Sequence, residues 1–450
     1  MAKERNLRLR VLSGATRFVP RLRRVAAGYA AKLACSALFH SGRELEAILR
    51  EDLEGIPGAE LSVDRERREV RARVRDCERR ALWREDIGGV LLHEDEQLSF
   101  PQLPPRAAPQ PSQPWPGGEE VPAEWPLPAA ARAALSEVLD EAFAEPGPKP
   151  RRTRAVVIVQ RGQLVAERYA PGFDAAMPLL GWSMTKSVVN ALCGRLVAQG
   201  KLDVQDRIGA PEWSAPGDPR AELTFDQLLR MSSGLRFWEQ YWNPFSHVVG
   251  MLFAERSTGA HAAEFPLVAK PDARWSYASG TSNILARAAR ERASSDLAES
   301  LAYPYRELFD KLGMHSARFE LDASGNFVGS SFCWATARDW ARFGQLYLQR
   351  GAWGGEQLLP QGWWDYTRRP TPRAPAGEYG AHFWLNAGRG SKRMHPGLPD
   401  ELVMARGFEE QSVTIVPSRE LVIVRLGQTG HRPAWDFDGF VAGVLKALPE

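Results

Sequence analysis

Ser183 and Lys186 stand three positions apart in Gly181-Trp182-Ser183-Met184-Thr185-Lys186-Ser187, the only Ser-x-x-Lys in this 450-residue chain. The apolar residues that follow, Val188, Val189, Leu192, Leu196 and Val197, recur at helical spacing, and Gly200 suits a C-terminal cap. The pair is therefore expected on the first turn of a helix, on one face. A serine hydroxyl is a weak nucleophile until a neighbouring base takes its proton, and a lysine serves as that base when burial or nearby charge lowers its pKa. The helix N-terminus adds unpaired N–H groups and the positive end of the dipole, which suit an anion forming on an attacked carbonyl. So short a motif also arises by chance, and a second cluster has to accompany it.

That cluster is Pro271-Asp272-Ala273-Arg274-Trp275-Ser276-Tyr277-Ala278-Ser279-Gly280-Thr281-Ser282-Asn283, which places Tyr277 on a loop before a helix expected from about Ile284. In order and separation these residues resemble the serine β-lactamase and penicillin-binding-protein superfamily, where Ser-x-x-Lys is followed by Tyr-x-Asn or Tyr-x-Ser. Leu223 to Leu235 looks like that superfamily's helix ending in Ser-Gly-Leu, and Ala335 to Leu346 is similar to its later helix. The resemblance covers most of residues 129–450. It implies two-step acyl transfer, with Ser183 as nucleophile and Lys186 and Tyr277 as its proton-transfer partners. The oxyanion would be held by the Ser183 N–H and one near Gly407 or Phe408, and no cofactor or metal is implied.

The superfamily's third motif, Lys-Thr-Gly, is where the chain departs: the equivalent place reads Met404-Ala405-Arg406-Gly407-Phe408-Glu409-Glu410-Gln411. This looks more like the esterase and 6-aminohexanoate-dimer hydrolase branch, which often has Gly-x-x-Gly-Gln, although Glu410 takes the place of the second glycine. The missing lysine and threonine bind the carboxylate of penicillins and peptidoglycan stems, so their loss weakens the case for those substrates; Arg406 is the candidate replacement cation. Tyr241, in Glu239-Gln240-Tyr241-Trp242-Asn243-Pro244, resembles a segment lining the nylon-oligomer hydrolase pocket. The alternative is that Trp238, Tyr241 and Trp242 simply pack a helical lobe. Tyr241, Ser279, Arg406, Gly407 and Phe408 are thus the expected substrate-binding residues. The expected activity is ester or amide hydrolysis, with β-lactamase or D,D-carboxypeptidase activity, or a non-catalytic penicillin-binding-like protein, as alternatives.

Other chemistries fit less well. Gly181-x-Ser183-x-Thr185 lacks the second glycine of an α/β-hydrolase elbow, and His395 and His431, the candidate bases for that scheme, read as structural. His93-Glu94-Asp95-Glu96-Gln97 is not His-Glu-x-x-His, and Cys35, Cys77, Cys193 and Cys333 have no Cys-x-x-Cys spacing, so neither a zinc site nor a disulfide framework is expected. A net charge of +3 gives no reason to expect nucleic acid. The excess is concentrated at Lys3, Arg5, Arg8, Arg10, Arg17, Arg21, Arg23 and Arg24, which leaves a membrane-surface segment or a solvated amphipathic helix open. The apolar run Val25 to Phe39 is interrupted by Lys32 and too short to span a bilayer, and Lys32-Leu33-Ala34 before Cys35 makes a poor lipoprotein cleavage site. A cytoplasmic location is expected, with periplasmic or membrane-associated ones as alternatives.

To bring such residues together, the chain needs a scaffold. A helix from Gly42 to about Arg50 and a hairpin, with alternation in Glu60–Val63 and Val70–Val74 around a turn at Asp64–Glu69, outline a small N-terminal α+β region over residues 1–100. Proline enrichment, with Pro101, Pro104, Pro105, Pro109, Pro111, Pro114 and Pro116 close together, makes 101–128 an extended linker. In 129–450 a helix at Ala129–Ala144 precedes strands at Ala155–Val159 and Leu164–Tyr169, with a matching pair, Ser412–Val416 and Leu421–Leu426, near the other end. The expected fold is α/β (α+β): a β-lactamase-like antiparallel sheet flanked by helices, with an inserted helical lobe.

Overall fold

The computed structural model describes residues 20–450 except 57, 95, 107–111, 146, 242, 389–391 and 431. Alanine, the strongest helix former and small enough for close packing, dominates helix α1 (Pro20–Phe39), most of which is buried. One side of α1, with Val25 and Leu33, joins the main apolar core, and another, with Ala30, Ala34 and Leu38, packs on Val70, Ala72 and Ala81. Those residues belong to an antiparallel sheet ordered β1 (Glu60–Asp64), β2 (Glu69–Val74), β3 (Cys77–Arg84), β4 (Gly88–Leu91), reached through helix α2 (Leu45–Glu51). The β1–β2 hairpin has the expected register, with Val63 opposite Val70.

The charge that interrupts α1 is accounted for by a distant partner. Lys32, 1% exposed, pairs with the fully buried Glu320. The carboxylate also accepts from Ser36 Oγ (2.7 Å), the Gly89 N–H (2.7 Å) and Trp334 Nε1 (2.9 Å). Val25 to Phe39 is thus a core helix, and among the described residues no helix is long and apolar enough to cross a membrane. Of the basic cluster, Lys3, Arg5, Arg8, Arg10 and Arg17 lie outside the described residues.

The proline-rich stretch runs along the surface and is fastened at intervals. Arg106 reaches Asp310 and the carbonyls of Met314, His315 and Ala317. Arg342, which is buried, donates to the carbonyls of Pro116 (2.9 Å) and Gly118 (2.5 Å). Pro109 and Pro111 fall outside the described residues.

After helix α3 (Ala129–Phe143) come strands β5 (Thr153–Gln160) and β6 (Gln163–Tyr169), helices α4 (Thr185–Ala198), α5 (Ser279–Ala293) and α6 (Ala337–Leu348), strands β7 (Trp384–Leu385), β8 (Val403–Gly407), β9 (Gln411–Val416) and β10 (Leu421–Gly427), and helix α7 (Phe437–Ala447). The strands form one antiparallel sheet ordered β7-β8-β9-β10-β5-β6, so the two hairpins expected at opposite ends of the sequence meet side by side, Ile423 against Ile158. β5 and β10 are buried along their length because both faces of the sheet are covered. Val156 and Ile158 face α3 and α7, whereas Val157 and Val159 face the larger core containing α4, α5 and α6.

Candidate active site

Ser183 lies in a tight turn, Trp182–Met184, that runs directly into α4. Trp182 holds φ +48°, a left-handed conformation that costs a bulky residue on the order of 1–2 kcal/mol and is kept only where the surroundings enforce it. They do so from several sides. The Gly181 N–H donates to the Cys333 carbonyl (2.9 Å), and Thr185 Oγ1 donates to the Trp182 carbonyl (2.6 Å) while accepting from the Cys333 N–H (3.0 Å). A side chain at Gly181 would start 2.4 Å from the Trp340 ring. The turn is therefore clamped between the neighbouring strand and α6.

At the second residue of α4, the Lys186 amine is 1% exposed and has three oxygen partners: Ser183 Oγ at 2.8 Å, Ser279 Oγ at 3.1 Å and the Ser330 carbonyl at 2.9 Å. Burial lowers its pKa to about 8, with the opposing influence coming from Glu239. Tyr277 lays its ring over the amine, 4.9 Å from Nζ to centroid. Burial, then Tyr379 and Glu239, drive the phenol pKa well above 10, and a hydrogen-bonding contact with the Ser183 side chain opposes them. The phenol keeps its proton through the range around pH 8 in which the amine loses its own and becomes able to take one. Ser183, Lys186 and Tyr277, drawn from two distant stretches, converge as expected.

Ser279 joins them in a way the sequence did not announce. Helix α5 begins at Ser279, five residues before the expected Ile284, although Ser-Gly-Thr-Ser is a poor helical opening. The carboxylate of Glu239 occupies the helix start: it accepts from the Ser279 N–H (2.8 Å) and from Ser279 Oγ (2.5 Å). Glu239 belongs to the very segment singled out for Tyr241, so its acidity two residues before that tyrosine was the available signal.

Tyr241 and Phe408 stack face to face, centroids 4.8 Å apart, and both meet the Trp182 ring edge-on, making an aromatic wall beside the Ser183 turn. The Tyr241 hydroxyl is buried without a well-formed hydrogen bond among the described residues; Ser279, Ser331 and Ser183 lie around it and restrain a pKa that burial raises. Trp238, by contrast, is 54% exposed and stacks on His247, and Trp242 is outside the described residues. Gly407 closes the wall from below: a Cβ there would sit 2.2 Å from the Gly181 carbonyl oxygen, so the end of β8 abuts the Ser183 turn.

Arg406 does not face Ser183. With period-two alternation, Val403, Ala405 and Gly407 look toward the Ser183 side, and Met404 and Arg406 look the other way. The guanidinium packs over Phe437 of α7, bonds Glu410 (2.9 Å) and meets His395, which itself pairs with Asp438. It is no replacement for the missing motif lysine, and His395 is structural; His431 lies outside the described residues.

Glu409 and Glu410 hold φ +63° and +64°, so Glu410 adopts the left-handed conformation that a glycine would take there without strain. The fully buried Arg425 clamps this turn through the carbonyls of Glu409 and Glu410, both at 3.1 Å. Gln411 completes it by bonding both the N–H and carbonyl of Gly427. Among the described residues no cluster of three or more His, Cys, Asp or Glu side chains is placed to hold a metal ion.

A family model described as Beta-lactamase matches residues 141–442. The chain belongs to the beta-lactamase family. The match takes in Ser183, Lys186, Glu239, Tyr277 and β8, while α1 to β4 precede it. Across 314 residues this beta-lactamase-family chain is 23% identical to a 6-aminohexanoate-dimer hydrolase of Paenarthrobacter ureafaciens, covering 65% of the chain and 77% of that relative. Among solved structures it resembles EstCE1, described as a hydrolase with promiscuous acyltransferase activity (TM-score 0.57, 14% identity, 71% of this chain and 98% of that one). It also resembles a penicillin-binding protein homolog from Caulobacter crescentus (TM-score 0.54, 16% identity, 72% and 98%). At such identities the structural likeness speaks for the fold.

Proposed function

We propose that this beta-lactamase-family chain hydrolyses a carboxylic ester or a linear amide through an acyl-enzyme on Ser183. The carrying observation is the 2.8 Å contact between Lys186 Nζ and Ser183 Oγ, in surroundings whose burial brings the amine's pKa to about 8. In the neutral form Lys186 takes the Ser183 proton as Oγ attacks the carbonyl, and Tyr277, protonated and in contact with Ser183, relays a proton to the departing alcohol or amine. Water then releases the acyl group by the reverse path. The N–H groups of Ser183 and of Gly407 or Phe408 receive the oxyanion. The orientation of Arg406 and the absence of the motif lysine weigh against the carboxylate recognition used for penicillins, and the likeness to a 6-aminohexanoate-dimer hydrolase supports a linear amide as one substrate class.

Treatment with a fluorophosphonate, followed by peptide mapping, should place the adduct on Ser183. Ser183→Ala should lose p-nitrophenyl ester turnover by about a thousandfold or more. An adduct elsewhere, or undiminished turnover in the variant, removes the assignment. Nitrocefin hydrolysis faster than ester turnover would move the substrate class to β-lactams.

A further inference from the structure

Lys186 is surrounded on every side by groups that can be named. The turn before its own helix offers Ser183 and α5 offers Ser279. The stretch before the strand Cys333–Ala335 offers the Ser330 carbonyl and, nearby, Ser331. Tyr277 covers it, with Tyr379 packed behind that ring at 5.7 Å, and Tyr241 lies near the same serines. From below comes His382, whose Nδ1 meets the Lys186 carbonyl (2.9 Å) and whose Nε2 meets Ser282 Oγ (3.1 Å); burial, then Lys186, lowers its pKa to about 3, so it is neutral. In this set of phenols, hydroxyls and a neutral imidazole, one carboxylate stands out, Glu239, and it reaches the amine through the Ser279 hydroxyl.

That arrangement settles which way the Ser279 hydroxyl points. A hydroxyl has a single proton to donate. Committed to Glu239 Oε1, it turns a lone pair toward Lys186, so it accepts from the amine and cannot compete with Ser183 for the nitrogen lone pair. We propose that Glu239 is a positioning residue of this hydrolase: through Ser279 it aims the Lys186 lone pair at Ser183, and its negative charge stabilises the ammonium that forms as Ser183 gives up its proton. The inference rests on the acyl-enzyme reading above. In the step concerned, the Ser183 Oγ–acyl bond forms, the carbonyl π pair moves onto oxygen and the Oγ proton passes to Nζ; Glu239 gains no proton and makes no bond to substrate.

The test compares kcat/KM against pH for p-nitrophenyl acetate in the wild type, Glu239→Gln and Ser279→Ala, with the rate of fluorophosphonate labelling at Ser183 as a second readout. Glu239→Gln should move the acid limb about one pH unit lower, because the charge that favours the ammonium is gone. Its plateau should fall by roughly tenfold or more, as the amine becomes a weaker and less well-aimed base. Ser279→Ala should lower the plateau with a smaller shift, since the carboxylate remains. Coincident limbs and plateaus within twofold for wild type and Glu239→Gln would overturn the inference. Should Glu239→Gln fail to fold, Ser279→Ala decides, and a plateau within twofold of wild type overturns it. Absence of any Ser183 adduct in the wild type would instead overturn the acyl-enzyme reading.

Discussion

At the scale of single residues, burial separates two pKa values that would otherwise lie close together. Burial acts on both, but it disfavours the charged form, which is the ammonium of Lys186 and the phenolate of Tyr277, so the amine goes down and the phenol goes up. Because the Lys186 pKa falls below its ordinary value, the base form becomes available as pH rises through about 8, and kcat/KM for a neutral ester should climb through that point and level off. Lys186→Arg, charged throughout, should abolish the limb and lose about a thousandfold or more in kcat. Tyr277→Phe should cost roughly 10²–10⁴ in kcat while Ser183 still labels, slowly, with fluorophosphonate. Arg406→Met should leave KM for esters with and without a carboxylate within twofold of wild type, a result that steady-state kinetics can check directly. Ser183, Lys186 and Tyr277 were legible because their spacing and order are properties of the chain itself. Glu239 was not, since its relation to Ser279 is made by the fold across 40 residues. Arg406 was read as a candidate site cation from its charge and its place at the third motif; the alternation of Val403, Ala405 and Gly407 with Met404 and Arg406 carries the side chain to the other face of the sheet.

At the scale of elements, the site depends on two strained turns pressed together: the nucleophile turn at Trp182 and the turn at Glu409–Glu410 after β8. Their contact is backbone to backbone at Gly181 and Gly407, so Gly407→Ala should lower kcat more than it raises KM, by displacing the β8 amides from Ser183. Arg425 holds the second turn from within the core, donating to the carbonyls of Glu409, Glu410 and Arg151 and to the hydroxyls of Thr153 and Thr429. Arg425→Met removes all five of those bonds from the core, and urea denaturation should register a loss of about 3 kcal/mol or more. The hairpins of the central sheet were readable from alternation and turn residues. The early start of α5 was not, because a carboxylate from another segment supplies the cap that its own sequence lacks.

At the scale of the whole molecule, the region before the family match is built into the same core as the hydrolase. α1 packs on the helix His247–Phe253, Lys32 is neutralised by Glu320, and Arg43 and Arg154 share Glu51 and Asp52 between α2 and β5. Removing one partner of a buried pair leaves the other charge stranded, so Lys32→Met should cost about 3–5 kcal/mol in denaturant unfolding. Adding Glu320→Gln to Lys32→Met should recover part of that loss, because the amide still accepts hydrogen bonds and carries no charge. The alternation in β1 and β2 made the N-terminal sheet visible in the sequence, whereas the meaning of Lys32 in an apolar run depended on a residue far along the chain.

Synthesis runs in the opposite order to this dependence. Lys32 leaves the ribosome 288 residues ahead of Glu320, and at about 5–20 residues per second the nascent chain carries its alanine-rich helix for roughly 15–60 seconds before the carboxylate exists. For that interval the helix has an apolar side with no hydrolase body to cover it, which makes it a natural client for chaperones and makes slow translation or truncated messages a route to aggregation rather than to a smaller working enzyme.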